Sequence, residues 1–352
     1  MSDPGDPGDG ADAPVLVERR GRLGVLTLNR PRAINALDTR MVGIVTDALA
    51  AWAEDDAVAT VLVTGAGERG LCAGGDVVTL ARAAQAGDLG IPARFWQAEY
   101  AMNAGVARFP KPYVAVMDGI VLGGGVGISA HGSHRIVTER TRLGMPETGI
   151  GFVPDVGGTR LLAHAPGELG THLGLTGEQV TGADAIALGL ADAFVPSERL
   201  ADLTAALETE DADAAIAAVA EPAPASALLA ERAWIDPAYA GDDLAAILDR
   251  LAAGPDPARA AAATLARRSP TALAITLRAL RAAAHEASLE EALRREYRVS
   301  MHALVLPDFA EGIRAQLVDK DRAPRWSPAA VAAVDPAVVA AAFDPVDPEL
   351  AG

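Results

Sequence analysis

The chain has 352 residues and a formal net charge of −17, and it shows no basic footprint of the kind that nucleic-acid binding requires. Half of the residues are hydrophobic, which suits one large domain with an appendage or two domains, but no apolar run reaches the roughly 18 residues of a membrane span. A single cysteine, Cys72, excludes an intrachain disulfide and favours a reducing compartment, so a cytoplasmic location is predicted.

Local sequence patterns predict the structure of the first 64 residues. Residues 1–13 are rich in Gly, Pro and Asp, lack the apolar core of a signal peptide, and are predicted to be a disordered tail. Apolar and polar residues alternate on both sides of Gly21, which predicts a β-hairpin. Asp38 is placed to cap a helix that runs to about Glu54, because apolar side chains recur there at helical spacing. The β-branched run at 59–64 predicts another strand.

A glycine-rich loop follows each of two predicted strands. The first loop, residues 65–76, follows the strand just described, and the second, residues 123–127, follows an apolar run at 113–117. Glycines leave backbone N–H groups uncovered, and two converging N–H groups can stabilise an oxyanion. Gly75 and Gly124 are the candidate donors. The alternative is that both loops are only tight turns between a strand and a helix.

Two carboxylates, Glu147 and Asp155, follow the second glycine loop. Each sits beside a proline in a segment broken by glycines, so both are expected in loops held by rigid turns. Two carboxylates whose environments give them different pKa values can act as acid and base in the same reaction. Asp155 could instead cap a helix that starts at about Gly157.

Other candidate residues have simpler explanations. Glu99 could be a solvated helix residue, and Cys72 is expected to be a small buried side chain because no histidine is placed beside it. His131 and His134 have the spacing of metal ligands but no third partner, so structural roles are expected. Residues 125–130 fit a dinucleotide-binding fingerprint, which on its own is a weak signal.

The rest of the chain is predicted to be mainly helical. After about residue 196 alanine dominates and no further β-rich run occurs, so the sequence predicts a catalytic core over 14–197 and a helical C-terminal region over 198–352. A short strand is predicted at 193–195. The predicted helices lie at 77–86, 95–109, from 128 onward, at 168–190 in two pieces, and at 200–207, 244–252, 271–284 and 289–306.

Three segments together resemble the enoyl-CoA hydratase/isomerase (crotonase) superfamily. They are Asn29 to Leu37 (NRPRAINAL), Cys72 to Asp76 (CAGGD) and Gly119 to Gly127 (GIVLGGGVG), and the resemblance extends over residues 15–334. Further segments are similar to a branch of that superfamily that hydrolyses acyl-CoA thioesters. These are residues 99–103, 145–148, 154–158 and 308–321.

The resemblance implies an α/β crotonase fold, a spiral of ββα units with two near-perpendicular sheets and a C-terminal helical region. It implies acyl-CoA substrates, with Gly75 and Gly124 in the oxyanion-hole positions. Glu147 and Asp155 take the catalytic positions of the hydrolase branch. No metal or redox cofactor is expected, since coenzyme A is part of the substrate.

The resemblance also suggests binding residues and an assembly. Glu99 falls at a substrate-binding position, and Arg32 falls where the superfamily often places a basic residue near the CoA phosphates. Gly124, Glu147 and Asp155 would contact substrate as well. The superfamily commonly forms trimers and hexamers, so a homo-oligomer is possible.

One departure from the hydratases bears on the reaction. Hydratases carry a catalytic glutamate just after the glycine loop, where this chain has Gly127, and they carry glycine where this chain has Asp155. The glycine at position 127 and the acid at position 155 together favour hydrolysis of a short-chain 3-hydroxyacyl-CoA thioester, in valine catabolism. The alternatives are a hydratase or isomerase of the same fold and a non-catalytic acyl-CoA-binding relative.

Overall fold

The computed structural model describes residues 13–350. The predicted disordered tail therefore lies outside the described residues, except for Ala13. In the described part nine strands form two sheets. The strands are β1 (Val15–Arg20), β2 (Leu23–Leu28), β3 (Thr60–Gly65), β4 (Gly70–Cys72), β5 (Tyr113–Met117), β6 (Ile120–Leu122), β7 (His134–Val137), β8 (Arg142–Gly144) and β9 (Ala193–Phe194).

The chain alternates between the two sheets. The larger sheet has the order β1-β2-β3-β5-β7-β9, and the smaller has the order β4-β6-β8. β1 and β2 form the predicted antiparallel hairpin around Gly21, and every other pair of neighbouring strands is parallel. From β3 to β8, each strand of the larger sheet is followed by one of the smaller sheet, which confirms the predicted ββα spiral.

Helices of the first half fill the space between successive strand pairs. In chain order α1 to α7 are Thr39–Glu54, Val77–Gln85, Gly90–Ala107, Gly124–Ala130, Gly158–Ala163, Leu169–Thr176 and Gly182–Ala187. The Asp38 cap of α1 is confirmed, since its carboxylate accepts from the Met41 N–H at 2.9 Å. Two predicted starts were wrong: α3 begins at Gly90 rather than 95, and α4 begins at Gly124 rather than 128.

The larger sheet is buried on both faces, which explains why its strands are nearly continuous apolar runs. One face, with Val61, Val63 and Met117, packs on the core that includes α1. The opposite face carries Leu62 and Val114 and forms a second core with two helices, α8 (Leu200–Leu207) and α9 (Ala212–Val219).

The remaining C-terminal region is helical and packs against the spiral. Helices α10 to α17 are Ala227–Ala230, Arg232–Tyr239, Leu244–Ala253, Asp256–Leu265, Pro270–Ala283, Leu289–Leu304, Pro307–Ile313 and Pro336–Ala341. Helix α14 packs on α5 and α6, α15 packs on α3 and α5, and α16 packs on α2. Three predicted helices, at 244–252, 271–284 and 289–306, are confirmed here, and the one predicted at 200–207 is α8. No helix among residues 13–350 has both the length and the apolar character to cross a membrane.

Candidate active site

The candidate site is built at one edge of the smaller sheet. Because β4, β6 and β8 are parallel, their carboxyl ends meet at the same edge, where open α/β sheets usually bind ligands. The two glycine loops follow β4 and β6, and Glu147 follows β8. The turns of the spiral therefore bring together residues that are far apart in the sequence.

All five residues predicted to form the reacting centre line one cavity of about 500 Å³. They are Gly75, Glu99, Gly124, Glu147 and Asp155. The rest of the wall is mainly apolar and includes the stacked rings of Trp96 and Phe152, whose centroids are 5.5 Å apart. A small, largely apolar pocket with a few convergent polar groups is typical of a small-molecule site.

Gly75 and Gly124 place two backbone amides at this cavity. Gly124 is the first residue of α4, so its N–H has no intrahelical partner. Within residues 13–350, neither amide donates to another main-chain oxygen in a turn, loop or cap. The two loops touch, because a Cβ added to Gly124 would lie 3.3 Å from the Gly75 nitrogen. The two amides therefore lie close together at the wall of the cavity.

Glu147 begins a single 3₁₀ turn, Glu147–Ile150, rather than the open loop predicted from its glycines. Its carboxyl is buried, and Oε2 has no hydrogen-bond partner among the described residues. Burial, and after it the charge of Asp155, raises the pKa of Glu147 well above its ordinary value. A Cβ added to Gly123 would lie 2.9 Å from Glu147 Oε1, so the acid lies directly against the second glycine loop.

Asp155 is held by a tyrosine and does not cap a helix with its side chain. The Tyr100 hydroxyl donates to Asp155 Oδ2 at 2.8 Å and lies 3.0 Å from Ser300 Oγ. The cap of α5 is supplied by Glu296 of α15, which accepts from the Gly157 N–H at 2.6 Å. Burial raises the pKa of Asp155 to about 7, although the hydrogen bond from Tyr100 lowers it.

Glu99 faces the cavity, and the alternative of a solvated helix residue was wrong. The residue is only 2% exposed, and Oε1 has no partner among the described groups. A Cβ added to Gly124 would lie 2.6 Å from Glu99 Oε1. Burial and then the charge of Asp155 raise the pKa of Glu99 well above its ordinary value. Three carboxyl groups with raised pKa values therefore surround the two amides.

Other residues named from the sequence lie elsewhere. Arg32 is exposed and lines no wall of this cavity, and its carbonyl accepts from Arg69 Nη1 at 3.4 Å. Cys72 is buried, and burial raises the pKa of its thiol to about 12, as expected for an inert side chain. His131 contacts the Val156 carbonyl at 2.7 Å, whereas His134 contacts Asp213 at 3.1 Å. Residues 13–350 contain no cluster of three or more side chains that could hold a metal ion.

The helix position of Gly127 has no room for a side chain. A Cβ added there would lie 2.7 Å from the Cβ of Val156 and 3.0 Å from both amide atoms of Asn103. Real Cβ atoms do not approach other atoms to 2.7 Å, so an acid at 127 would require the Asp155–Gly157 loop to move. The absence of a carboxylate at this position is therefore built into the packing.

Several residues at the site were given no role from the sequence, although Tyr100 lies within the similar segment 99–103. Tyr100, Glu296 and Ser300 form the layer behind Asp155, and Arg268 and Arg322 line the wall on the C-terminal side. Tyr100 is separated from Ser300 by 200 positions, and helical periodicity in α3 marks Tyr100 only as a core residue. Only the tertiary structure brings these residues to the site.

A ββα spiral that places two glycine amides beside buried carboxyl groups is suited to an enzyme that stabilises an oxyanion. The comparison with protein families gives the same class. A family model for enoyl-CoA hydratase/isomerase matches residues 23–343, and the chain belongs to that family.

Curated relatives share more than a third of the sequence. The mitochondrial 3-hydroxyisobutyryl-CoA hydrolase of Danio rerio is 39% identical over 350 residues, which cover 96% of this chain and 91% of the relative. The human protein of the same name is 37% identical over 327 residues, 90% of this chain and 84% of the relative.

Two solved structures are similar to this chain in both sequence and fold. A carnitinyl-CoA dehydratase from Mycobacterium thermoresistibile is 53% identical with a TM-score of 0.93, covering 97% of this chain and 99% of that one. An enoyl-CoA hydratase from Rhodobacter sphaeroides is 44% identical with a TM-score of 0.91, covering 97% of this chain and 100% of that one. The fold is thus that of the family, while the names of the relatives refer to two kinds of reaction.

Proposed function

We propose that the protein hydrolyses the thioester of a short 3-hydroxyacyl-CoA, with 3-hydroxyisobutyryl-CoA as its substrate. The observation that carries the proposal is that Glu147 and Asp155 line one cavity with Gly75 and Gly124, on a fold that binds acyl-CoA thioesters. The names of the curated relatives, which match over 90% or more of this chain, support the choice of reaction and substrate.

In this mechanism the thioester carbonyl oxygen lies between the N–H groups of Gly75 and Gly124. Addition of an oxygen nucleophile to the carbonyl carbon places negative charge on that oxygen, where the two amides stabilise it. Loss of one such donor typically reduces kcat by about 10²–10³. Collapse of the tetrahedral intermediate breaks the C–S bond, and the CoA sulfur leaves with a proton.

Glu147 has two possible roles in the addition step. As a general base it takes a proton from water while the water oxygen attacks the carbonyl. As a nucleophile it forms a mixed anhydride, which water then hydrolyses. A single turnover in ¹⁸O-water tests the anhydride. Label in the Glu147 carboxyl, detected by peptide mass spectrometry, indicates an anhydride that water opens at the glutamyl carbon, whereas label confined to the product acid shows that water attacks the acyl carbon.

Asp155 and Glu99 complete the proposed mechanism. Asp155, held by Tyr100, orients the water or transfers the proton to the departing thiol. Glu99 has an unpartnered oxygen beside Gly124 and would bind the 3-hydroxyl of the substrate. The aromatic wall of Trp96 and Phe152 would accept the short alkyl part.

The second candidate is hydration or dehydration of the acyl chain, which the names of the two similar structures favour. The packing at Gly127 argues against it, because the glutamate that the hydratases carry there has no space in this chain. A direct test gives the protein 3-hydroxyisobutyryl-CoA and crotonyl-CoA in parallel. We expect free thiol from the first and little loss of enoyl absorbance from the second. Rapid hydration of crotonyl-CoA without thiol release would overturn the proposal, and no reaction with either would favour a binding protein.

The biological setting is part of the same proposal. Hydrolysis of 3-hydroxyisobutyryl-CoA would place the protein in valine catabolism. The cytoplasmic location stays a prediction from the single cysteine, and the animal relatives are named as mitochondrial. A homo-oligomer likewise stays a prediction, and light scattering of the purified chain would test it.

A further inference from the structure

The turn that carries Asp155, residues 155–157, contains a residue in an unfavourable backbone conformation, and we name it the acid turn. Val156 has a φ of 54°, in the left-handed region, where a β-branched side chain crowds the main chain. Gly157 has a φ of 80°, which a glycine adopts without this cost. A strained residue keeps such a conformation only where its surroundings hold it. The contacts of Val156 therefore bear on what directs the neighbouring acid.

His131 makes one of these contacts. Its Nε2 lies 2.7 Å from the Val156 carbonyl oxygen, and Nε2 carries the proton because a carbonyl can only accept. The ring also packs closely on the acid turn, since a Cβ added to Gly157 would lie 2.6 Å from its Cε1 and Nε2. Burial lowers the pKa of His131, although the hydrogen bond to Val156 raises it, so the ring is neutral at pH 7.

The other hydrogen bonds of the acid turn hold the neighbours of Val156 and not Val156 itself. Glu296 accepts from the N–H of the residue that follows, and Tyr100 donates to the carboxyl of the residue that precedes. Among residues 13–350, the ring of His131 is the only group that donates to the Val156 carbonyl. The strained residue is therefore fixed from the side of α4.

Helix α4 connects the acid turn to the oxyanion donor of the second glycine loop. The helix begins at Gly124, whose amide lies at the cavity, and ends directly before His131. Midway along it Gly127 packs on the acid turn, because a Cβ added there would lie 2.7 Å from the Cβ of Val156. One short helix thus carries the donor at its start and the contact from His131 at its end. Its position sets the donor and the acid turn relative to each other.

We propose that His131 is a positioning residue, whose hydrogen bond keeps Val156 in the left-handed conformation and thereby directs the Asp155 carboxyl into the catalytic cavity. The inference rests on the proposed thioester hydrolysis, in which Asp155 orients water or transfers a proton. Without the bond, Val156 relaxes toward a negative φ and the carboxyl leaves its place beside the reacting atoms. One hydrogen bond shifts such an equilibrium by up to about tenfold, which sets the size of the expected effect.

His134 provides a matched control, since it lies three residues further along the chain and is also half-buried. Its ring contacts Ser133 at 2.9 Å and Asp213 at 3.1 Å, and it lines no wall of the catalytic cavity. Replacement of this second histidine removes the same chemical group from the surface of the fold. It should leave the acid turn unchanged.

The kinetic test compares His131→Leu, His131→Gln and His134→Leu with wild type on the CoA thioester. His131→Leu fills the space of the ring without a donor, so kcat should fall by about tenfold while KM changes less than about twofold. His131→Gln restores an N–H near the position of Nε2 and should keep kcat within about threefold of wild type. His134→Leu should match wild type. Melting curves confirm folding, and His131→Met replaces His131→Leu if the latter does not fold.

A second substitution tests the strain itself. Val156→Gly, added to His131→Leu, removes the side chain that makes the left-handed conformation costly, so kcat should rise several-fold above that of His131→Leu. If His131 only filled space in the core, the added glycine would remove further packing and no recovery would follow. Recovery therefore distinguishes a positioning role from a structural one.

Hydrogen exchange separates this inference from the proposed function, because it needs no substrate. The amides of Gly157 and Gly158 donate within or beside the acid turn, and their exchange, followed by NMR, reports its opening. Exchange should be about tenfold faster in His131→Leu and unchanged in His134→Leu. Wild-type exchange in His131→Leu, or equal losses of kcat in the Leu and Gln variants without recovery by Val156→Gly, would overturn the positioning role. A wild type that hydrolyses no thioester but shows the expected exchange would reject the function and leave the role of His131 in the acid turn standing.

Discussion

The two halves of the chain contribute to the site at different distances from the reacting atoms. In the spiral, Gly75, Gly124 and Glu147 stand two or three residues beyond the ends of β4, β6 and β8. The C-terminal helices contribute support instead: Glu296 caps the turn after Asp155, and Ser300 contacts the tyrosine that holds it.

Helix α16 shows the same division of roles. Its Gly312 lies so close to the turn of Glu147 that an added Cβ would be 2.3 Å from the Ile150 carbonyl. The comparison suggests that substitutions of the cavity residues act on the chemical step. Substitutions in the supporting layer, which consists of Tyr100, Glu296 and Ser300, should instead shift the pKa values and positions of the cavity carboxyl groups. The predictions below test that distinction, beginning with the largest expected effect.

Replacement of the central acid should have the largest effect. Glu147→Gln keeps the size of the side chain but removes both base and nucleophile, so kcat should fall by about 10²–10⁴. Glu198→Gln, in an exposed 3₁₀ turn, is the matched control and should retain full activity. If Glu147 and Asp155 act as one unit, a double variant with Asp155→Asn should be little slower than Glu147→Gln alone. If folded Glu147→Gln had a steady-state kcat close to that of wild type, Glu147 would be neither the base nor the nucleophile.

A methyl group in the second glycine loop should have the next largest effect. The Cβ of Gly124→Ala would lie 2.6 Å from Glu99 Oε1 and would displace either the carboxyl or the loop. Misplacing one oxyanion donor should lower kcat by about 10². Gly43→Ala in α1 is a control, because a Cβ there has nothing within 4 Å. That variant should keep its activity and gain up to roughly 1 kcal/mol of stability. Equal activity in both variants would mean that the loop is only a turn.

The supporting layer is tested by Tyr100→Phe, which removes the hydrogen bond to Asp155 while keeping the ring. Because that bond lowers the pKa of Asp155, its loss should raise this pKa further above about 7. The acidic limb of the kcat profile should therefore move to higher pH, and kcat at neutral pH should fall by about tenfold. Tyr239→Phe, which loses a buried contact with His172 at 2.9 Å, should leave the profile in place. A profile unchanged in Tyr100→Phe would show that Tyr100 is only a packing residue.

The smallest expected effect is on stability. The folded-state pKa of Asp155, about 7, is above its ordinary value of 3.8, so the folded state disfavours the charged form. The stability associated with this group is present below about pH 4 and is lost as pH rises through about 7. Asp155→Asn should therefore exceed wild type in unfolding free energy by roughly 1–3 kcal/mol at pH 8 and by little at pH 4. Denaturant unfolding at both pH values measures the difference. A lower unfolding free energy for Asp155→Asn than for wild type at pH 8 would contradict the prediction.

Local patterns predicted the larger elements at the start of the spiral, whereas the roles of the candidate site residues came from the resemblance. The hairpin around Gly21, the Asp38 cap and the strand before each glycine loop follow from alternation, capping and turn chemistry, all of which act over a few residues. The two glycine loops could be located because each follows a predicted strand, 59–64 or 113–117, but the strands of the smaller sheet were missed, and β4 lies inside the first predicted loop. Even there, the start of α4 was misplaced, since Gly124, Gly125 and Gly127 have low helix propensity and only the fold makes them helical.

The supporting layer could not be predicted, because its contacts join residues far apart in sequence. Glu296 caps a turn 139 positions away, and nothing in the pattern of α15 distinguishes it from a surface glutamate. The helices α9 and α13 were missed because alanine-rich segments show little contrast between faces, and α11 is interrupted by Pro237, which indicates a helix break. Arg322 stands in an irregular segment, where the sequence offers no periodicity to interpret.

The alternation of the chain between two sheets has a consequence for how such a protein can change during evolution. Each turn of the spiral ends in its own short loop at the shared edge, so a residue can be exchanged on one turn without altering the hydrogen-bonded register of the other two. In the proposed mechanism the first two turns bind the carbonyl oxygen through main-chain atoms, so exchanges of neighbouring side chains leave both donor groups in the chain. We therefore expect substitutions that change the reaction to fall in the segment after β8 and in α4, whose side chains lie closest to the proposed thioester.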